Sequence, residues 1–234
     1  MKKFFIILLL LINSALSAQN SLGTWNVLNF NIKIDNKWGG FVETQVRSLS
    51  FYNEFHYYEY KIGATYKLTD NFSATAGIGS YNTFDEGGNF VTPALNEEIR
   101  TWLQANIKNK IGRVYFENRF RAEQRFTSNG YKNRYRLRLG AVIPLNRDKI
   151  KPGALYANFW NEIFFTDNEP FFERNRMLVG VGYDFNNTIA VQAGYIYQFD
   201  YKINDETGRD FLNLALLYTI DYKKKKEYQQ SNVD

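Results

Sequence analysis

Between residues 118 and 140 arginine recurs at alternate positions, at 119, 121 and 125 and again at 134, 136 and 138. Phe120, Ala122, Tyr135, Leu137 and Leu139 occupy the gaps. Successive strand side chains point to opposite faces, so period two makes one face guanidinium and the other hydrocarbon. The pattern is not local. Leu28, Phe30 and Ile32 alternate with Asn29, Asn31 and Lys33, and Tyr58, Tyr60, Ile62, Ala64 and Tyr66 with Glu59, Lys61, Gly63 and Thr65. Ile99, Thr101, Leu103, Ala105 and Ile107 alternate with Arg100, Trp102, Gln104, Asn106 and Lys108. Met177, Val179, Val181 and Tyr183 oppose Arg174, Arg176, Gly180 and Gly182, and Leu212, Leu214, Leu216 and Tyr218 oppose Asn213 and Thr219. No segment carries a helical stripe, so the chain is read as all-β.

Eleven such segments can be counted. Their connections alternate between short, at 35–37, 69–71, 108–112 and 186–187, and long, at 82–96, 127–133, 166–174 and 200–209. Short and long turns at opposite ends describe an up-and-down antiparallel meander of hairpins. Nothing in the composition divides it, and one domain is expected over 19–222, followed by a charged tail at 223–234.

The first residues, MKKFFIILLLLINSALSAQN, join two lysines to nine apolar residues from Phe4 to Ile12 and then small residues to Ala18. That is the form of a secretory signal peptide, 1–18, with cleavage near Ala18. The apolar run is far shorter than the roughly 20 residues a spanning helix needs. With no cysteine in 234 residues, disulfides, thiolate catalysis and Cys-ligated metals are excluded. A net charge of +5 without a basic face does not indicate nucleic acid.

A soluble sandwich and a membrane barrel both alternate, with opposite faces inward. The strands here run to ten residues or more, where soluble strands average five or six and bilayer-crossing strands nine to eleven. Aromatics gather at the ends of the apolar faces, as in Tyr58/Tyr60/Tyr66, Tyr195/Tyr197/Phe199 and Tyr218/Tyr222, in the manner of an interfacial girdle. The expectation is therefore a transmembrane antiparallel barrel of ten to twelve strands in the outer membrane. Twelve is favoured, because bacterial single-chain barrels have even numbers. Its apolar face would meet lipid, and Arg119, Arg121, Arg134, Arg136 and Arg138 would point into the lumen. Arginine on the lipid face costs roughly 2–4 kcal/mol at mid-depth, which enforces the alternation.

The ladder NRYRLRLG at 133–140, NEIFF at 161–165 and RNRMLVGVGYDFN at 174–186, together with the leader, resemble an outer-membrane barrel family of Bacteroidota, domain of unknown function 2490. The resemblance covers most of the mature chain, implies a barrel and carries no activity with it. The chain departs from the common outer-membrane pattern in that a lysine run, rather than a terminal aromatic, follows Tyr222. The partners expected are outer-membrane lipid and lipopolysaccharide, the barrel-assembly machinery and a small anion, with no nucleic acid.

Inside the barrel the alternation places thirteen bases, among them Arg174 and Arg176, against eight acids, among them Glu117, Glu123 and Glu162. An Arg–Glu ladder that plugs the lumen is one reading, since buried charges must be paired. An anion site or narrow anion-selective pore is another. Arg125, Arg134 and Arg136 should approach one another across the hairpin and repel unless Glu123, another acid or an anion intervenes. A lipid hydrolase is a third, in which His56 would act with Ser48 or Ser50, oriented by Glu54 or Glu59. No metal or cofactor site is expected: one histidine and no cluster of carboxylates at ligand spacing.

Overall fold

The computed structural model describes residues 22–201 and 206–222, so the expected leader at 1–18 and tail at 223–234 lie outside the described residues. Eleven strands follow in chain order: β1 Leu22–Lys33, β2 Trp38–Ser50, β3 Asn53–Lys67, β4 Phe72–Asp85, β5 Val91–Ile111, β6 Val114–Thr127, β7 Gly130–Pro144, β8 Ala154–Thr166, β9 Phe172–Asp184, β10 Ile189–Asp200 and β11 Thr207–Asp221. Each pairs with its sequence neighbours, and β1 pairs with β11 to close a barrel.

The closure corrects the expectation of a wholly antiparallel barrel with twelve strands favoured. A meander reverses direction at every turn, so the first and last of an odd number of strands point the same way. They can close only in parallel, and they do, from Leu22 opposite Asp210 to Lys33 opposite Asp221. Parallel pairing is slightly weaker per residue. The seam is reinforced by side chains: Trp25 meets Phe211 edge-to-face at 5.6 Å, and the Asn213 amide donates to the Trp25 carbonyl at 3.0 Å. On the outer face Phe30 packs on Tyr218.

The two rims can be told apart by their connections. The lower rim holds 34–37, 68–71, 112–113, 145–153 and 185–188, and the upper rim 51–52, 86–90, 128–129 and 167–171, with Tyr201 and Glu206. Lower turns are made by local side-chain chemistry. Asp35 accepts from the Lys37 and Trp38 amides at 2.7 Å, Asn186 from Thr188 and Ile189 at 2.8 Å, and Thr69 from Phe72 at 3.0 Å. Asn, Asp and Thr side chains stand in for a backbone turn in this way. Gly112 takes φ +58°, a left-handed conformation that costs glycine nothing. The expected long connections at 82–96 and 127–133 are much shorter than read, because strands β4 to β7 extend into them. Among the described residues the longest connection is 145–153, on the lower rim, where the alternation had indicated short turns.

The barrel is inverted relative to a soluble protein. On the outer face Phe120, Leu137 and Leu139 are 51%, 41% and 54% exposed, while on the inner face Arg136 is 8% and Glu162 0% exposed. Aromatic side chains collect toward both rims: Trp38 with Tyr66 and Tyr183 with Phe185 below, Phe126 with Tyr131 and Phe165 with Phe172 above. Inside the barrel, buried apolar residues form two clusters. Trp25, Leu178, Ile196 and Phe211 form one, and Tyr57, Tyr81 and Trp102 the other.

Candidate functional site: the lumen

Strand register decides which lumen charges meet. Across β5, β6 and β7 it sets Arg100 opposite Arg125, Arg121 opposite Arg136, and Arg119 opposite Arg138. Like charges directly opposite are destabilising. Four glutamates resolve the conflict. Glu162, from β8, accepts from Arg136 at 3.0 and 2.9 Å, from Arg138 at 3.0 Å and also from Arg119. Glu123 takes Arg134 at 2.6 Å, Arg136 at 2.7 Å and Arg121 at 3.5 Å. Glu98 takes Arg100 at 2.8 Å and Arg125 at 3.0 Å, and Glu173 takes Arg125 at 3.1 Å and Arg134 at 3.5 Å. The approach of Arg125 to Arg134 is thus mediated by carboxylates. Glu173, on β9, had no place in the alternation reading.

Aromatic rings supply the remaining contacts. Arg138 lies 4.1 Å over Trp160, Arg136 4.6 Å over Phe164 and Arg100 3.7 Å over Tyr81. Such stacking attracts a cation to the ring face, more strongly where water is excluded. Inward aromatics also fill space that glycines leave: a Cβ at Gly77 would collide with the Trp102 ring, and one at Gly182 with the Tyr156 ring. Sequence reasoning assigned aromatics to the girdle and gave the inward ones no role. The signal was present, because Tyr57, Tyr81 and Phe164 share the parity of Glu59, Gly79 and Glu162.

The opposite wall, from β9 through β10 and β11 to β1, is different. Arg174 pairs with Asp200. Arg47, on neighbouring β2, pairs with Glu59 at 3.2 Å while sandwiched between Trp25 at 3.4 Å and Tyr57 at 4.1 Å. Arg176 donates to Gln198 at 2.8 Å and lies 4.8 Å from both the Trp25 and Phe164 rings. Its register partner is Glu162, whose carboxylate is turned to β6 and β7. Among the described residues Arg176, 7% exposed, has no carboxylate within ion-pair distance.

Some residues expected in the lumen sit at its lower edge. Glu117 pairs with Lys108 at 3.5 Å and both are exposed, and Arg113 donates to the carbonyls of Pro144 and Arg147 in the 145–153 connection. A cavity of about 900 Å³ runs between the walls, lined by side chains from all eleven strands.

His56 is buried where a register shift between Arg47 and Ser48 interrupts the β2–β3 ladder, and it lines this cavity. Its Nδ1 has no hydrogen-bond partner among the described residues. Ser48 Oγ is engaged with Thr24 Oγ1 at 2.6 Å and the Ser50 carbonyl at 2.7 Å, and Ser50 donates to Glu54 at 2.8 Å. Glu59 is held by Arg47, Lys61 and Tyr57. A triad is recognised by contacts between nucleophile, base and orienting acid, and these residues do not make them with His56. Among the described residues no three His, Cys, Asp or Glu side chains group as a metal site.

On the outer face near the upper rim a polar chain crosses three strands. Thr101 donates to Gln124, Gln124 to the Tyr131 hydroxyl, and Tyr131 to Asn133. Asn133 in turn donates to Asp167 from its amide side chain at 2.7 Å and from its backbone at 3.2 Å. These bonds hold the exposed Asp167 carboxyl below its ordinary pKa.

Fold and lumen together define a closed β-barrel with a charged interior and an apolar exterior. Residues 22–209 match the family described as protein of unknown function (DUF2490), and the chain belongs to it. No curated protein and no solved structure matches the chain.

Proposed function

We propose that this chain is a non-enzymatic outer-membrane barrel of a Gram-negative envelope, as the resemblance to a Bacteroidota family implies, whose lumen binds rather than conducts. The observation that carries the reading is the opposition of Leu137 and Leu139, exposed, to Arg136 and Glu162, buried, on adjacent strands. In water such an exterior would be a continuous apolar patch far larger than soluble monomers expose. In a bilayer the same surface is solvated by acyl chains, and closure leaves no backbone edge unpaired. Outer-membrane lipid is then the immediate partner. Lipopolysaccharide meets the upper rim, and the barrel-assembly machinery inserts the chain.

The Arg–Glu ladder of β5 to β8 favours a closed lumen over an anion-selective pore. Its carboxylates each hold two or three guanidinium groups from different strands, so opening a passage would break several buried pairs at once. Arginine remains in excess on the opposite wall, which suits a small anion as ligand. The testing measurement is single-channel conductance of the refolded, inserted protein in a planar bilayer under a salt gradient. Absence of steady conductance is expected. Steady current with anion preference would replace this reading with the pore.

A further inference from the structure

The two lumen walls differ in a way that specifies a ligand. On the β9–β11–β1 side an apolar cluster lies next to the arginines: Trp25, Leu178 and Ile196 line the cavity, with Val27 and Trp160 packed against them. At the upper edge of this apolar surface stands Arg176, nine-tenths buried, with Gln198 and two ring faces as neighbours and no carboxylate among the described residues. Beside it Arg47 keeps a buried Nε without a hydrogen-bond partner. A buried cation left without an anion is costly, and a guanidinium fork matches a carboxylate in shape and donor geometry. Beneath the arginines this wall offers hydrocarbon from Trp25, Leu178 and Ile196, with the Asn213 amide already committed to the Trp25 carbonyl and with Gln192 and Asn29 lower down.

The geometry points to a lumen site for an amphiphilic monocarboxylate, its head on Arg176 and Arg47 and its alkyl or aryl tail on Trp25, Leu178 and Ile196. The inference rests on the anion-binding reading above and names its ligand class. A free inorganic anion would satisfy the arginines and leave the apolar wall unused. A neutral amphiphile would do the reverse. The cavity of about 900 Å³ exceeds what an eight-carbon acid needs, and it falls in the range of small-molecule pockets, roughly 300–1,000 Å³.

The experiment uses the refolded full barrel in amphipol, so that no micelle competes for the tail, and titrates it by calorimetry. The probes are octanoate, octanamide and inorganic phosphate. Saturable binding of octanoate is expected, at least tenfold tighter than either other probe. Arg176→Gln should weaken octanoate by roughly ten- to a hundredfold, the worth of a hydrogen bond to a charged group. Leu178→Asn should weaken octanoate and leave phosphate unchanged. Heat-modified mobility on gels and circular dichroism identify any variant that fails to fold, and the wild-type probe comparison stands without the variants. Equal binding of octanamide would overturn the proposal in favour of apolar partition, equal binding of phosphate in favour of a bare anion site, and no octanoate binding would overturn it outright. Conductance is independent of all three, so a pore would sink the closed-lumen reading while leaving this site to be judged by calorimetry.

Discussion

The walls of one lumen are held by different forces. From β5 to β8 the interior is a lattice of buried ions in which Glu98, Glu123 and Glu162 each bridge arginines from more than one strand. From β9 to β1 it is a packed apolar cluster, Trp25, Leu178, Ile196 and Phe211, capped by arginines that have fewer acids to meet. A salt-bridged wall gains little from any single pair, since desolvation offsets attraction, yet loses much when one partner is removed. A packed wall behaves the other way: it tolerates changes in charge and responds to changes in volume. The difference teaches that a charged lumen is not uniformly a plug. One side is tied by ion pairs across strands, and the other keeps a buried cation, Arg176, with no acid among the described residues.

Removing the shared acid should break the comparison most sharply. Glu162→Gln leaves Arg119, Arg136 and Arg138 without their common carboxylate and is expected to cost roughly 3–5 kcal/mol in reversible urea unfolding. A loss under about 1 kcal/mol would show that water already solvates the ladder and that the two walls are alike. Trp25→Ala probes the packed wall. It should cost a similar or slightly smaller amount, roughly 3–4 kcal/mol, with little dependence on salt, because most of what is lost is volume and ring packing. Marked salt sensitivity in that variant would assign the wall to electrostatics.

A smaller effect separates the walls by sign. Arg176→Met keeps the bulk of a cation that lacks an acid, so stability should change by less than about 1 kcal/mol or rise, whereas removing charge from the ladder destabilises. A loss above about 3 kcal/mol would mean that Arg176 is paired in solution. The smallest effect lies outside the lumen. Asn133→Ala removes the side-chain bond that does most to depress the Asp167 pKa and leaves the backbone bond, so the carboxyl should titrate nearer its ordinary value in a carbon-detected NMR titration. The sign follows from linkage: a depressed pKa contributes stability above the unfolded value that fades as pH falls through the folded one. The variant and wild type should therefore differ at neutral pH and converge in acid. An unmoved Asp167 titration would remove Asn133 as the cause.

Much of this architecture was legible in the alternation. Parity alone separated Leu137 and Leu139 from Arg136 and Arg138, because on a wall with unlike faces a one-residue slip exchanges every side chain. It also yields eleven segments, the number observed, although barrels of this kind usually have even numbers with both ends on one side. Strand parity says nothing about how the ends meet, so the parallel seam of β1 with β11 was out of reach. The extent of β4 to β7 was missed for a similar reason: Asn96, Thr127 and Lys132 look like loop residues, and it is pairing with neighbours that keeps them extended. Which glutamate serves which arginine depends on pairings across the lumen, as with Arg119 on β6 and Glu162 on β8, and no one-dimensional pattern contains them. The inward aromatics were visible in parity and were passed over because ring-rich segments suggested the girdle.

The parallel seam has a topological consequence. With eleven strands, β1 begins at the upper rim while β11 ends at the lower one. Anything joined ahead of β1 and anything joined behind β11 therefore leave on opposite sides of the wall. Circular permutation, routine where termini are neighbours, would need a linker threaded through the lumen past Arg136, Glu123 and Glu162, or carried across the apolar exterior. An even-stranded barrel could be cut and rejoined at any hairpin. This one is a directed ring, whose order of strands can be rotated only with a linker as long as the barrel is tall.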